Sequence, residues 1–302
     1  MNFIKETIFY IPKYKLYCER IRNASAKSKG TIVMVHGAAH TGACYKITPD
    51  GRPGWVYNFA EAGYEVVLID WPGTGRSGYV TPEELTGEFI VNAITELLKT
   101  LGTKIILFTH SMSGPYGWML LEKAGEYIKQ LIAVSPGAMG NIQSVPEILS
   151  QTEDSLEVVM GPIKYDLSLT NNFICSKDYS MKKFIGESKL FPMEYFDNYF
   201  ASIIPMPPRL IHDRLNINGS QMKMSETFKA GETKVNIIVG TDDADHPFEL
   251  DIKIHEFLVK LGVKSEFVWL GDYGIEGNGH MMMLESNSEE IARFIMDKVI
   301  GN

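Results

Sequence analysis

Short runs of β-branched and apolar residues recur along the chain, and between them the apolar positions fall into a helical rhythm. TIVMV (31–35) is followed by a helical pattern over 55–62, and VVLID (66–70) by one over 82–101. IILFT (105–109) precedes one over 117–128, and LIAVS (131–135) closes the series. Continuous apolar runs bounded by turns mark strands buried on both faces. Their alternation with helices predicts right-handed crossovers and a mostly parallel sheet. Two more strands, 7–11 and 15–21, open the chain ahead of a Ser/Lys/Gly stretch at 25–30.

The rhythm stops between 139 and 233, where no comparable strand run occurs and Met, Phe, Tyr and Pro are frequent, as in FPMEYFDNYFASIIPMPPRL. It resumes with VNIIVG (235–240), a helix over 249–261, EFVWL (266–270) and a last helix over 288–300. Strands on both sides of the break are needed to complete one sheet of about eight strands. The expected organisation is therefore an α/β core, 1–138 with 234–302, carrying a helical cap over 139–233.

Composition narrows the function more than the fold. The 302 residues, 45% hydrophobic and 22% charged, suffice for a large core, and a net charge of −8 lacks the basic footprint of a nucleic-acid binder. Cys18, Cys44 and Cys175 are scattered and odd in number, which suggests neither a disulfide framework nor a zinc site. Gly73, Gly75 and Gly78 lack the Lys-Ser/Thr of a P-loop and the GxGxxG spacing, so no nucleotide cofactor is expected, and no metal. Lys5 and Glu6 interrupt the start of the chain and no apolar run is long enough to span a bilayer, so no membrane partner is expected and the compartment read from the sequence is the cytoplasm.

Three tracts carry chemistry. In IILFTHSMSG (105–114) a hydrophobic strand runs through small residues into a helix, with Ser111 at the turn. A nucleophile elbow needs this layout, because its Ser adopts a strained backbone and its neighbours must let strand and helix approach. Thr109 and Ser113 stand where the GxSxG pattern has glycines; both are small, and Ser113 is expected to point into the helix. In VMVHGAAHTG (33–42) a strand ends in His-Gly. The N–H of Ala38, with Ala39 as the next choice, is expected to pair with that of Met112 in an oxyanion hole. His36 is read as structural, and His40 as either a pocket or a plain loop residue. In GIEGNGHMMMLESN (274–287), His280 lies after the last strand, flanked by Gly277 and Gly279, where a general base could reach Ser111. The third member, a carboxylate holding the imidazole tautomer, is sought in VNIIVGTDDADHP. Asp243 is the choice, three residues past Gly240; Asp242 and Asp245 are the alternatives, Asp245 also being a plausible helix cap. Asp70 and Arg76 are read as a structural ion pair.

The ordered set of His36-Gly37, DWPGTGRS (70–77), the Ser111 elbow and the His280 loop resembles the α/β-hydrolase superfamily over nearly the whole chain. The order Ser then His, with His near the C-terminus, is that superfamily's. TPDGRPGW (48–55), GYEVVLIDWPGTGRSG (63–78) and GNGHMMMLESN (277–287) resemble, more narrowly, a branch of bacterial serine esterases. The resemblance implies the α/β-hydrolase fold with an inserted cap, and a catalytic triad needing no cofactor. In that branch the acid is often a Glu directly after the strand that follows the elbow; Ser135 occupies that position here, which directs the search for the acid to 242–245.

The expected activity is hydrolysis of a carboxylic ester or lactone of a small apolar molecule, with C–C bond hydrolysis by the same residues as its neighbour. The reading from another class is a non-catalytic or slow small-molecule receptor on the same fold. The sequence carries no sign of oligomeric state.

Overall fold

The structure, a computed structural model, describes residues 3–160, 163–229 and 231–301. Eight strands form the main sheet: β1 (Ile4–Ile11), β2 (Leu16–Asn23), β3 (Thr31–Val35), β4 (Glu65–Asp70), β5 (Ile105–His110), β6 (Ile128–Val134), then β10 (Lys234–Val239) and β11 (Lys264–Trp269). Their order is β1-β2-β4-β3-β5-β6-β10-β11. From β4 to β11 all neighbours are parallel, whereas β2 is antiparallel to both β1 and β4. The central strands read as unbroken apolar runs because helices cover both faces, and every residue of β5 is buried. β1 at the edge has most side chains in solvent, which is why its apolar pattern was the weakest.

Helices α1 (Trp55–Glu61), α2 (Gly87–Leu101) and α3 (Gly114–Ala124) connect the first parallel strands. The pattern predicted a start for α2 near Pro82; the helix begins five residues later, where Thr86 accepts the Phe89 N–H at 3.0 Å. A side-chain cap of this kind satisfies one of the donors left free in the first turn of a helix. α3 starts earlier than predicted, directly behind the elbow.

Between β6 and β10 lies the insertion, and here the expectation of an all-helical cap needs correction. It opens with a three-stranded antiparallel sheet of β7 (Glu147–Gln151), β8 (Ser155–Met160) and β9 (Ile163–Ser168). Only then come the short helices α4 (Lys177–Ser180), α5 (Phe196–Ala201) and α6 (Pro208–Arg214). These strands lack the continuous apolar runs of the main sheet: β7 is wholly exposed, and in β8 and β9 only Leu156, Val158, Tyr165 and Leu167 are buried. The aromatic stretch of the insertion largely packs on itself, Phe191 against Tyr199 and Phe196 against Tyr199 and Phe200, with Met193 and Tyr195 left exposed. The chain finishes with α7 (Phe248–Lys260) and α8 (Ser288–Phe294), the latter prolonged by a π-helical turn. Among the described residues no helix is long and apolar enough to cross a membrane.

Candidate active site

β5 delivers Ser111 at its C-terminal end in a left-handed conformation, φ 52°. A non-glycine residue there is strained, and the surroundings hold it. Its carbonyl accepts the Gly137 N–H at 2.8 Å. The Ser113 hydroxyl, 2.8 Å from the His110 amide, accepts that N–H and points inward to the Val35 carbonyl at 3.1 Å. Thr109, larger than the glycine of the usual motif, fits because α3 presents Gly117 to it. A Cβ on Gly117 would lie 3.1 Å from Thr109 Cγ2. The missing glycine before the serine is thus compensated by a glycine in the first turn of α3.

The tract after β3 lies against this elbow. A Cβ on Gly37 would come within 2.7 Å of His110 Nδ1 and 2.9 Å of Ser111 Cβ, so only glycine fits. Among the described residues, neither the Ala38 nor the Ala39 N–H has a hydrogen-bond partner. Ala39, at φ 58°, borders a crevice together with Met112. His36 is structural: its Nε2 accepts the Trp71 N–H at 3.1 Å, its Nδ1–H donates to the Gly37 carbonyl at 2.8 Å, and its ring stacks on Trp71. His40 bridges to the insertion through the Tyr199 hydroxyl at 3.0 Å. The Asp70 carboxylate, fully buried, accepts two bonds from the Arg76 guanidinium, 2.8 and 3.0 Å, plus the Gly42 and Arg76 amides. That network fixes the loops flanking β4 and reaches no reacting atom.

His280 closes the arrangement. Its Nε2 is 2.9 Å from Ser111 Oγ and its Nδ1 is 3.1 Å from Asp243 Oδ2. A carboxylate only accepts, so Nδ1 carries the proton and Nε2 is the free acceptor for the serine hydroxyl. Burial works to raise the Asp243 carboxyl, but the histidine beside it prevails and lowers it to about 2. Its second oxygen accepts the Asp245 and His246 amides, each at 3.1 Å. The two loops run in contact: the Asp242 N–H donates to the Asn278 carbonyl at 2.9 Å, and Gly277 N–H to Thr241 Oγ1 at 2.8 Å. Of the two glycines beside His280, only Gly277 uses a positive φ, 87°. Gly279 is needed for space, since its Cβ would meet Ser188 of the insertion at 2.7 Å.

The alternatives Asp242 and Asp245 do not reach His280. Asp242 pairs with Lys189 at 2.8 Å, and Asp245 with Lys183; both lysines belong to the insertion. Asp245 is not a helix cap, because α7 starts after Pro247 without a side-chain cap. Ser135 sits after β6 at φ 43° with its hydroxyl buried and unbonded.

Sequence reasoning passed over three groups that the fold brings to this spot. His110 Nε2–H donates to the His280 carbonyl at 3.0 Å. Glu285 accepts from Gly279 N–H, Asn278 Nδ2 and Ser188 Oγ at 2.9, 2.5 and 2.5 Å, which ties the His280 loop to the insertion. His246 stacks on His280. The only signal for the last was a histidine three positions past the chosen aspartate. Asp245, His246 and His280 bring polar atoms within 4.8 Å of one another. Asp245 is already neutralised by Lys183, and both His280 nitrogens are engaged, so the cluster is one of ion pairs.

Two cavities border the site. The crevice at Ala39 and Met112, lined also by Trp71, Met206 and Leu210, has a free volume of about 10 Å³, barely room for one water. His40 borders it and also a larger cavity of about 330 Å³ with Cys44, Ile47, Tyr199 and Leu284.

Residues 32–294 match the model of the Alpha/beta hydrolase family. The chain belongs to that family. It is 24% identical to the "Probable secreted lipase phiG" of a fungal species, over 96% of this chain and 88% of that protein. A 2-hydroxy-6-oxononadienedioate/2-hydroxy-6-oxononatrienedioate hydrolase of Paraburkholderia phymatum is 28% identical, but over only 41% of this chain and 42% of its own length. Among solved structures, an esterase from Exiguobacterium antarcticum superposes with a TM-score of 0.62 at 18% identity, covering 94% of this chain and 95% of that one. At that identity the likeness is one of fold.

Proposed function

We propose that this family member is a serine hydrolase that cleaves carboxylic esters, lactones included, through an acyl-enzyme. The observation that carries the reading is the unbroken chain from Ser111 Oγ through His280 to Asp243, at 2.9 and 3.1 Å. Ser111 Oγ attacks the carbonyl carbon while His280 Nε2 takes its proton. Asp243 stays ionised and supports the imidazolium. The N–H groups of Met112 and of Ala38 or Ala39 receive the developing oxyanion. His280 then protonates the leaving alkoxide, and a water activated by the same nitrogen releases the acid.

The acyl group this site suits is short and uncharged. Trp71, Met112, Met206 and Leu210 line the crevice, with Thr74 and His40 as its polar members and no Lys or Arg among them. A dianionic dienoate, the substrate class named for the Paraburkholderia relative, would bring buried carboxylates with no cation to meet them. This favours ester over C–C cleavage. The closed crevice needs Met206 and its neighbours to shift before an acyl chain enters, a movement unbranched methionine tolerates well.

The test is a stopped-flow assay with p-nitrophenyl acetate, alongside labelling with a fluorophosphonate. A burst of one nitrophenolate per chain, and an adduct on Ser111 that Ser111→Ala abolishes, is the expected result. Wild-type protein giving neither burst nor adduct overturns the reading and favours a ligand receptor.

A further inference from the structure

His246 takes no part in the proton path just described, yet it is buried and lies face to face with His280, ring centroids 5.0 Å apart and planes 11° from parallel. Its Nδ1 lies 3.1 and 3.2 Å from the two oxygens of Asp251, which α7 supplies and which is itself buried. Its Nε2 is 3.4 Å from Asp245 Oδ2, an ion-pair contact without hydrogen-bond alignment. A buried imidazole with a carboxylate on each side is best accommodated as the cation. We propose that His246 is a positioning residue for the base: a fixed imidazolium that sets the plane of the His280 ring by stacking and holds back premature protonation of that ring. The inference rests on reading His280 as the general base.

The charges around the pair explain why a cation is needed. Three carboxylates, Asp243, Asp245 and Asp251, stand in this one loop and the first turn of α7. Lys183 and, at 3.8 Å, Arg214 neutralise Asp245 from the insertion. Asp243 must stay ionised to orient Nδ1. Burial raises the Asp251 carboxyl, and His246 is the group that works to keep it ionised. Two other histidines face His280, and neither supplies that charge: burial pushes His40 down to about 3 and His110 well below its ordinary range. Burial also works against a charge on His246, but Asp251 and Asp245 prevail and lift it to about 10. A positive charge on the face of His280 repels a second one forming there.

The experiment follows the rate of fluorophosphonate inactivation against pH in the full chain. Wild type is compared with His246→Gln and with the double variant His246→Phe/Asp251→Asn, which keeps an aromatic face and leaves no lone carboxylate. His246→Gln removes the cation that opposes charge on His280, so the pH at which inactivation falls to half should rise by about one unit there; the double variant removes a cation and an anion together and serves as the stacking control. At high pH the double variant should react faster than His246→Gln, because it keeps the stacked ring. A half-rate pH that is unchanged or lower in folded His246→Gln overturns the proposal. Should both variants fail to fold, ¹⁵N spectra of the wild-type imidazoles decide it: both His246 nitrogens protonated at pH 8 supports the proposal, and a neutral ring overturns it. Wild-type protein that the probe does not modify at Ser111 sinks the hydrolase reading, and this inference with it. Wild-type reaction at Ser111 with coincident pH profiles sinks only this inference.

Discussion

The two halves of the site are built by different physics. Ser111 is held by its neighbours in the chain and by steric fit: a strained φ of 52°, the inward Ser113 hydroxyl, and Gly37 and Gly117 where no Cβ fits well. Asp243 lies in a loop held by charge and by the insertion, with Lys183 on Asp245 and Lys189 on Asp242. The first half needs only packing between adjacent strand ends of the one sheet, those of β3 and β5. The second exists only when charged residues of the insertion reach the loop after β10. The nucleophile should accordingly survive perturbations of the insertion that displace the acid, and the comparison can be tested from both sides.

The largest effect is expected at Asp243, the acid we propose. Asp243→Asn leaves the imidazole in the wrong tautomer and should lower acyl turnover by roughly 10⁴-fold. Asp242→Asn, which loses only a largely exposed lysine partner, should stay within about threefold of wild type. Steady-state hydrolysis by the two purified variants checks this, and equal losses would break the assignment of Asp243.

Next in size is the link to the insertion. Lys183→Met leaves Asp245 without its main partner and should cost about 3 kcal/mol in urea unfolding. Turnover should fall in parallel, while fluorophosphonate access to Ser111 in the folded fraction persists. A variant as stable as wild type would show that charge does not hold this loop.

Acid titration probes the same half. The Asp243 carboxyl, lowered to about 2 from its ordinary 3.8, binds a proton more weakly folded than unfolded. Its contribution to stability, of order 2 kcal/mol, is present above pH 4 and lost as pH falls through 2. Unfolding curves between pH 5 and 2 should show it, and Asp243→Asn should flatten them.

The steric half is tested by Gly37→Ala. The added Cβ, 2.7 Å from His110 Nδ1 and 2.9 Å from Ser111 Cβ, must push the elbow aside. We expect about 2 kcal/mol of destabilisation and a turnover loss near 10²-fold. Smallest of all, Met206→Ala should open the crevice and shift the preference from acetyl toward hexanoyl esters by about tenfold, read from kcat/KM on a p-nitrophenyl ester series.

The sequence by itself determined the parallel sheet, the elbow at Ser111 and the position of His280 after the last strand. Those features are written locally: an apolar run, a turn of small residues and a helix lie within ten positions, and strand burial leaves its mark on every residue. Asp243 could be singled out from Asp242 and Asp245 only by counting from Gly240, because all three suit a turn equally well. Only the tertiary structure distributed them, one to His280 and two to lysines of the insertion. The three-stranded sheet inside that insertion was illegible for a related reason, since β7 buries no side chain and β8 and β9 bury only two each, too few to stand out from a polar loop. His246 was wholly a matter of the fold. Nothing in a lone histidine before a proline announces a stacked ring. Its role depends on Asp251 from α7 and on His280, thirty-four positions on, meeting it in one buried space where each group decides the charge of the others.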